Sequence, residues 1–330
     1  MTIQKRAPGN DGRPLLQCVM TQDVYHIPVL LEQSVSALLP HAGGIYVDAT
    51  LGGAGHSRAI LAAIGEGSRL YGIDRDSDAI ANAPADERFT AIHGNFRYLT
   101  NFIRYYSAEG KVDGILADLG VSSHHFDTAE RGFSFRADAP LDMRMNRSGG
   151  ITAAELLATA SEERLADIFH LYGELRCARR LAKAIATRRA TEVVATTGAL
   201  AELATPMLNP ASVKKELAQV FQALRIEVNG EMEALQDFLR ATAAAIRPGG
   251  RLAVITYHSL EDRLVKNFIR SGRMDGKIVT DLYGRAETPF KAVTGKPIVP
   301  NAIEIETNPR ARSAKLRVAE RTEYPLSHEN

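Results

Sequence analysis

The chain alternates between short apolar runs and amphipathic stretches, a pattern typical of a sheet whose strands are connected by helices. Five apolar runs predict buried strands at residues 45–47, 69–74, 89–93, 112–118 and 251–257. Three further runs, at 279–283, 302–306 and 315–318, complete the predicted sheet, and residues 284–300 are predicted to form a long loop. Helical spacing of apolar residues begins at His26 and returns between the strands, as at 57–64 and 102–106. The pattern predicts an α/β protein with a doubly wound sheet.

From about residue 128 to residue 246 the strand pattern is absent and helical signals follow one another. Thr152 and Glu155 have the spacing of a capping box, and Ser161 has the character of a second helix start. Helical stretches continue at 174–189, 200–208, 211–226 and 231–246. We therefore predict four segments: a flexible N-terminal extension (1–24), the first part of the sheet domain (25–135), an inserted all-helical domain (136–230) and the second part of the sheet domain (231–330).

A glycine turn joins the first predicted strand to the helix after it. Gly52, Gly53 and Gly55 allow the backbone to turn sharply and to approach a ligand without Cβ atoms in the way. The next strand ends in Asp74, about twenty residues after the glycines. This is the layout of a nucleotide-binding βαβ unit, in which the acid accepts hydrogen bonds from ribose hydroxyls.

Two classes of ligand share this layout, the dinucleotides and S-adenosylmethionine. The glycines form Gly-Gly-Ala-Gly, without the third glycine of the dinucleotide pattern. Asp48 ends the first strand where a pyrophosphate lies in dinucleotide enzymes, and we expect its carboxylate to repel one and to suit the ammonium of a methionine. These details favour S-adenosylmethionine. A dinucleotide-dependent oxidoreductase, which binds NADH instead, is the alternative.

Polar and aromatic residues also follow the other predicted strands. Asp118 ends the fourth strand, and ligands of open α/β sheets bind at that edge. Phe96 follows the third strand and fits either stacking on a base or packing in the core. His258 follows the fifth strand, and with Ser259 and Glu261 it is a candidate for holding a substrate. Helix capping by the same turn is the alternative.

Composition narrows the class of protein. The chain has 330 residues, of which 45% are hydrophobic and 24% charged, typical of a globular protein without a membrane span. Cys18 and Cys177 are too few for a disulfide framework. The first twenty residues lack the apolar core of a secretion signal, so we expect a cytoplasmic protein. A zinc site from His124, His125 and His258 is conceivable, but we predict no metal.

The net charge of +1 does not by itself indicate a nucleic-acid substrate. Any RNA-binding surface must therefore be local. Two stretches are candidates: residues 176–189, with five arginines and one lysine, and residues 310–317, with four cations. A solvated helix face and an edge strand are the alternative interpretations.

Seven motifs, in order and spacing across about residues 25–320, together resemble one family. They are Asp48–Ser57, Gly72–Asp76, Asp113–Ser123, Arg131–Phe135 with Pro140–Met145, Phe221–Asn229, His258–Arg263 and Asn308–Arg317. The chain is similar in these motifs to the RsmH (MraW) family, the bacterial S-adenosylmethionine-dependent cytosine-N4 methyltransferases of small-subunit (16S) ribosomal RNA.

The resemblance implies a class I methyltransferase fold, with a Rossmann-like doubly wound sheet and an inserted all-helical domain. It implies methyl transfer from S-adenosyl-L-methionine to the N4 amino group of a cytidine near the decoding centre of 16S ribosomal RNA. We expect the RNA to be methylated within the assembled small subunit. The resemblance also implies cofactor contacts from Ala54, Gly55, His56, Asp74, Phe96, Asp118 and His125.

Asp118 is our first candidate catalytic residue, since a carboxylate there can accept a hydrogen bond from the reacting amino group. His258 is the second. An RNA-binding factor with an inactive methyltransferase fold is a further alternative, against which the intact acids argue. No particular oligomeric state is predicted.

Overall fold

The computed structural model describes residues 28–120, 129–147, 149–280, 283–284 and 288–324. The predicted extension 1–24 and the side chain of His125 lie outside these ranges. Within these ranges, seven strands form a single sheet: β1 Ile45–Asp48, β2 Arg69–Asp74, β3 Phe89–His93, β4 Val112–Asp118, β5 Ile246–Thr256, β6 Phe290–Ala292 and β7 Lys315–Arg321.

The strand order is β3-β2-β1-β4-β5-β7-β6. Strands β1 to β5 pair in parallel, whereas β7 is antiparallel to both β5 and β6. The order reverses between β1 and β4, so a crevice opens there at the carboxyl ends of the strands. This arrangement confirms the predicted α/β, Rossmann-like doubly wound sheet.

Helices cover both faces of the sheet. They are α1 Leu31–Ala37, α2 Gly55–Ala63, α3 Ser77–Ala81, α4 Leu99–Tyr105, α10 Glu231–Ala245, α11 Ser259–Ser271 and α12 Ala302–Thr307. One apolar core holds Leu99, Phe238 and Phe268 against the sheet, and the core on the opposite face holds Leu38 and Ile60. Burial on both faces explains why the central strands are almost continuously apolar.

A helical insert, residues 153–229, separates β4 from β5. It contains α5 Ala153–Thr159, α6 Glu162–Leu171, α7 Ala178–Arg188, α8 Thr197–Ala204 and α9 Val213–Asn229. The predicted capping box at Thr152 and cap at Ser161 are both present. The insert has a hydrophobic cluster of its own, centred on residues such as Phe169, Leu181 and Leu224. Within the described ranges, no helix of the protein combines the length and apolarity needed to cross a membrane.

The strand predicted at 302–306 is wrong, because these residues form α12. Alternating isoleucines and glutamates imitate a strand, but Asn301 caps a helix by accepting from Glu304 N at 2.8 Å. Glu304 in turn accepts from the distant Leu30 N at 2.6 Å, which a helix places correctly. Ile303 is left 73% exposed. Local capping therefore overrides the alternation.

The region between β5 and β7 also differs from the prediction. The sheet recruits β6 from the stretch predicted as a loop, at Phe290–Ala292. Among the described residues of 279–283 no named strand is present, and residues 281–282 lie outside the described ranges. Phe290 is buried against Phe268, which explains why β6 and not the earlier run joins the sheet.

Two elements begin elsewhere than expected. The helix predicted over 174–189 starts at Ala178, because Glu174 has a left-handed backbone with φ of 51°. Strand β5 begins at Ile246, before the Arg247–Gly250 turn, and its register with β4 shifts between Val112 and Gly114.

Candidate active site at the carboxyl edge of the sheet

The glycine turn after β1 is held by the acid that ends β2. Asp74 accepts from Gly52 N through Oδ2 and from Asp76 N through Oδ1, both at 2.9 Å. Burial raises the pKa of the Asp74 carboxyl, while these two N–H groups oppose the shift. Each carboxylate oxygen has two acceptor positions, so Asp74 retains capacity for ribose hydroxyls.

The turn leads directly into α2. Ala54 is fully buried with φ of 60°, and it precedes the first helical residue. A Cβ on Gly55 would lie 2.2 Å from Pro28 Cγ, so glycine is required here by packing against the segment before α1. The first N–H groups of a helix have no intrahelical partner, and those of α2 can therefore bind an anionic group.

Asp48 does not face a ligand, which corrects the expectation that it meets the ammonium of a methionine. It is fully buried beneath the turn. Its Oδ2 accepts from Ser57 Oγ at 2.7 Å and its Oδ1 from Thr50 N at 3.2 Å. Burial raises the pKa of Asp48 to about 6, against the lowering effects of His56 and of the Ser57 hydrogen bond. Asp48 fixes the turn from below.

Asp118 stands at the switch point with several donors around it. Its Oδ1 accepts from Gly120 N at 3.0 Å, and its own N donates to Thr50 Oγ1 at 2.7 Å. The Tyr257 hydroxyl lies beside the Asp118 side chain, close enough for the carboxylate to act on it. Burial, followed by the Asp118 charge, raises the pKa of Tyr257 well above its usual value, so the phenol stays protonated and donates.

His56 lies against Asp118 from the other side. Its Nδ1 is 3.9 Å from Asp118 Oδ2, and its Nε2 is 3.1 Å from the carbonyl oxygen of Val29. The ring is 6% exposed. The imidazole of His56, on α2, therefore connects the segment before α1 with Asp118 at the end of β4.

Phe96 packs in the core but keeps part of its ring at the surface. It forms an edge-to-face contact with Phe238, with ring centroids 5.2 Å apart. A cavity of about 400 Å³ opens beside it, between the sheet edge and the residues around the insert. Its lining includes Arg75, Gly94, Asn95, Arg144, Asn146 and Asn229. The cavity thus adjoins the residues that follow Asp74 and precede Phe96.

The wall of this cavity is tied across the chain. Arg75 donates to Asn229 O at 3.2 Å and contacts the Met145 sulfur. Asn229 Oδ1 accepts from Met145 N at 2.8 Å, and its Nδ2 donates to Met143 O at 2.8 Å. The end of α9 is therefore fixed to the sheet edge.

His258 is turned towards acids rather than into open space. It caps α11, and its Nε2 lies 2.9 Å from Glu261 Oε1, off the direction of an aligned hydrogen bond. Glu261 Oε2 accepts from Tyr257 N at 2.8 Å. His258 is 10% exposed in its side chain, with Nδ1 3.5 Å from Glu261 N. Nδ1 serves the helix cap, and Nε2 lies beside the Glu261 carboxylate and not at the open edge, which favours a positioning role over that of a general base.

Ligand atoms of Glu231, His258 and Glu261 lie within 4.8 Å of one another, a spacing that suits a metal ion. However, Arg225 forms a two-pronged pair with Glu231, with both N···O distances 2.9 Å. Burial opposes the charge on Arg225, but the carboxylates of Glu231 and Glu261 raise its pKa. The guanidinium therefore already supplies the positive charge that this cluster requires.

Two contacts at this edge escaped the sequence interpretation. Tyr257 directly follows β5, beside the strand end that carries Asp118, and this position at the carboxyl edge is the signal that could have found it. Glu174 reaches from the insert to Ser259, with Oε2 accepting from Oγ at 2.7 Å. Its left-handed backbone has no sequence signal. The candidates His124 and His125 lie outside the described residues.

Comparison with known proteins gives consistent matches over most of the chain. A model of the MraW methylase family matches residues 23–322. A ribosomal RNA small subunit methyltransferase H from Bacteroides thetaiotaomicron is 58% identical over 297 residues, 90% of this chain and 97% of the relative. One from Porphyromonas gingivalis is 50% identical over 311 residues, 93% of this chain and 100% of the relative.

Among solved structures, an rRNA methylase from Streptococcus thermophilus matches with a TM-score of 0.38 and 13% identity, covering 90% of this chain and 99% of that chain. The family match supports S-adenosyl-L-methionine as the cofactor.

Proposed function

This chain belongs to the MraW methylase family, and on that premise we propose that it methylates the N4 amino group of a cytidine in small-subunit ribosomal RNA, near the decoding centre. S-adenosyl-L-methionine is the donor, and the assembled small subunit is the substrate. The relatives named for small-subunit methylation support the choice of RNA. The observation that carries the proposal is the meeting of Asp74, Asp118 and the glycine turn at the switch point of the sheet.

The residues at this edge fit the cofactor. Asp74 is suited to the ribose hydroxyls, and the N–H groups of Gly55 and His56 at the start of α2 to the methionine carboxylate. Ala54 shapes the turn beside them, with its N donating to Leu51 O at 2.7 Å. Phe96 and the adjoining cavity suit the adenine. His125, from the segment outside the described residues, belongs to the same proposed set. When bound, the cofactor supplies a methyl group already activated on a sulfonium.

The chain's own task is to prepare the acceptor. The lone pair of cytosine N4 is delocalised into the ring, so the amino group is a weak nucleophile. Asp118 accepts a hydrogen bond from that amino group and localises its lone pair. Tyr257 and Gly120 N hold the carboxylate in one orientation, which supplies the alignment on which such transfer depends. The amino proton leaves after transfer, and the base must leave its stack to reach the site.

His258 has a supporting role in this proposal. It orders Glu261, which holds the backbone at Tyr257 and hence the phenol that donates to Asp118. We therefore place His258 as a positioning residue and keep Asp118 as the residue that touches the reacting group.

The test uses labelled S-adenosylmethionine and small ribosomal subunits from cells that lack the enzyme, with the RNA digested to nucleosides. We expect label in N4-methylcytidine, reduced roughly 100-fold by Asp118→Asn, the low end of what a positioned acid–base group contributes. Glu109→Gln, an exposed acid paired with Arg104, is the matched control.

Each other outcome is informative. Label in a different nucleoside overturns the N4 assignment but not the methyl transfer. Cofactor binding without transfer to any subunit preparation overturns the substrate. Binding of NADH in place of S-adenosylmethionine would support the dinucleotide-dependent oxidoreductase. If the unaltered chain transfers no methyl group and RNA affinity survives Asp118→Asn, the inactive RNA-binding factor is supported.

A further inference from the structure

Four cations form a line on the surface around the start of α7. Arg176, Arg179, Arg180 and Lys183 are all exposed. The spacing of the last three places them on one side of α7, and Arg176 lies in the turn just before the helix. The opposite side is buried in the insert core through residues such as Leu181. Within the described ranges, these four side chains make no hydrogen bond or ion pair.

The other cations of the two basic stretches are largely occupied. Arg188 pairs with Glu192, and Arg189 donates to the carbonyl oxygens of Leu157 and Ala160. In the second stretch, Lys315 and Arg317 both pair with Asp262, at 3.3 and 2.7 Å. The structure thus separates cations with a structural partner from those that face solvent.

Two lysines of α9 extend the line. Lys214 and Lys215 are exposed in the first turn of that helix. In the same turn, the Glu216 carboxylate acts on the Cys177 thiol immediately before α7 and, after burial, helps to raise the pKa of that thiol. The starts of α7 and α9 are therefore neighbours. We call Arg176, Arg179, Arg180, Lys183, Lys214 and Lys215 the basic stripe.

The basic stripe is unfavourable for the protein alone. Arg179 and Arg180 occupy the first turn of α7, which contains no acid, although the helix dipole disfavours cations there. Arg179 and Lys183 lie four residues apart within α7, so these like charges repel each other on one helix face. An anionic partner removes both penalties.

The stripe also begins at the rim of the candidate site. Glu174, two residues before Arg176, accepts from Ser259 at the start of α11 and lies 3.5 Å from Arg263. That helix start follows the carboxyl end of β5. A polyanion with one residue in the site therefore has the stripe directly along its path.

We propose that the basic stripe binds backbone phosphates of the ribosomal RNA that flank the reacting nucleotide. The proposal rests on the proposed function and adds to it the surface that holds the RNA. Lysine and arginine contacts to phosphates position a nucleic acid without reading its sequence. The stripe accordingly supplies affinity, while the site at the sheet edge selects the base.

The experiment compares Arg179→Ala/Arg180→Ala with the control Lys291→Ala/Lys296→Ala, which removes the same charge from exposed positions on and after the edge strand β6. Methyl transfer to unmodified small subunits, and equilibrium binding to naked 16S ribosomal RNA, are measured between 50 and 200 mM KCl. We expect KM for the subunit to rise roughly tenfold in the stripe variant, and the slope of log affinity against log salt to fall by about 1.4, or 0.7 for each of two contacts.

The kcat and the affinity for S-adenosylmethionine should stay unchanged, and the control should match the unaltered chain. A stripe variant with the same KM and salt slope as the control overturns the proposal. A raised KM on subunits without any loss of affinity for naked RNA also overturns the proposal, because the stripe would then contact a ribosomal protein. If the unaltered chain transfers no methyl group to ribosomal RNA, the proposed function itself fails, and this inference fails with it.

Discussion

Glu174 accepts a hydrogen bond from Ser259 at 2.7 Å and so joins the helical insert to the first turn of α11. The same carboxylate lies 3.5 Å from Arg263. Glu174 adopts φ of 51°, a backbone conformation that non-glycine residues rarely take. Strained backbone conformations cluster at functional sites, so we expect Glu174 to contribute to activity at the rim of the candidate site.

We expect Glu174→Ala to weaken methyl transfer to small subunits several-fold while binding of S-adenosylmethionine is kept. The reason is that Ser259 and Arg263 lose the partner that fixes them at the rim. The exposed position limits the loss of stability to about 1 kcal/mol. Kinetics with subunits and calorimetric titration of the cofactor measure the two effects. Glu163→Ala, an exposed acid on α6, is the control, and equal kinetics in both variants would refute the idea of a fixed rim.

Tyr257→Phe removes the donor to Asp118 and keeps the aromatic ring. Loss of a hydrogen bond to a charged group is worth about 1.5–3 kcal/mol, so we expect kcat to fall roughly 10- to 100-fold. The aromatic ring is kept because it packs closely against Gly120: a Cβ placed on Gly120 would lie 2.8 Å from the Tyr257 ring. Tyr105→Phe, an exposed phenol away from the cavity, is the matched control. A full-rate Tyr257→Phe enzyme would show that Asp118 needs no such orientation.

Asp48 makes stability depend on pH in a defined direction. Its pKa is about 6 in the folded protein against an ordinary value of 3.8, so the folded state binds the extra proton and loses stability as pH rises through this window. Asp48→Asn lacks this loss. Its unfolding free energy relative to the unaltered chain should increase by about 2 kcal/mol between pH 4 and pH 7.

Denaturant titrations at several pH values measure this difference, with Asp86→Asn as the control. The pKa of Asp86 is lowered to about 2 by its hydrogen bonds to Arg88, so Asp86 is ionised throughout the same window. For the control, the difference in unfolding free energy from the unaltered chain should stay nearly constant over this pH range. A flat difference for Asp48→Asn would mean that Asp48 stays ionised in its buried position.

Arg225→Ala should leave Glu231 and Glu261 as partly buried acids without their cation. Breaking a buried pair by removing one partner costs about 3–5 kcal/mol. The vacated cluster should also gain affinity for zinc, because three ligand atoms already lie within 4.8 Å. Melting temperatures with and without zinc test this. We expect a zinc-dependent rise in the variant but none in the unaltered chain.

The sheet strands that the sequence predicted are those buried on both faces. Runs such as Val112–Asp118 carry their own signal, since every residue of the run meets a core. Caps such as Thr152 are equally local, and they too were predictable. The helix at Ala302–Thr307 was not predictable from its own residues, whose alternating isoleucines imitate a strand. Asn301 caps the helix, and Glu304 accepts a hydrogen bond from Leu30 N, more than two hundred residues earlier in the chain.

The candidate site divides in the same way. Asp74 and Asp118 were predictable because they end strands, and parallel strands bring their carboxyl ends to one edge. The burial of Asp48 depends on Ser57 and Thr50 folding back over it, which no local pattern records. The engagement of His258 by Glu261 follows from capping, which the sequence offered as an alternative to substrate binding.

The placement of the helical insert between β4 and β5 also determines when the site can form. Pairing of Leu116 with Ala253 requires the ribosome to have synthesised the whole insert first. The insert has its own apolar cluster and mostly local contacts, so it can fold while the chain is still growing. The edge at Asp118 and Tyr257 is completed only after β5 has been synthesised, and a nascent chain that ends within the insert holds no finished pocket.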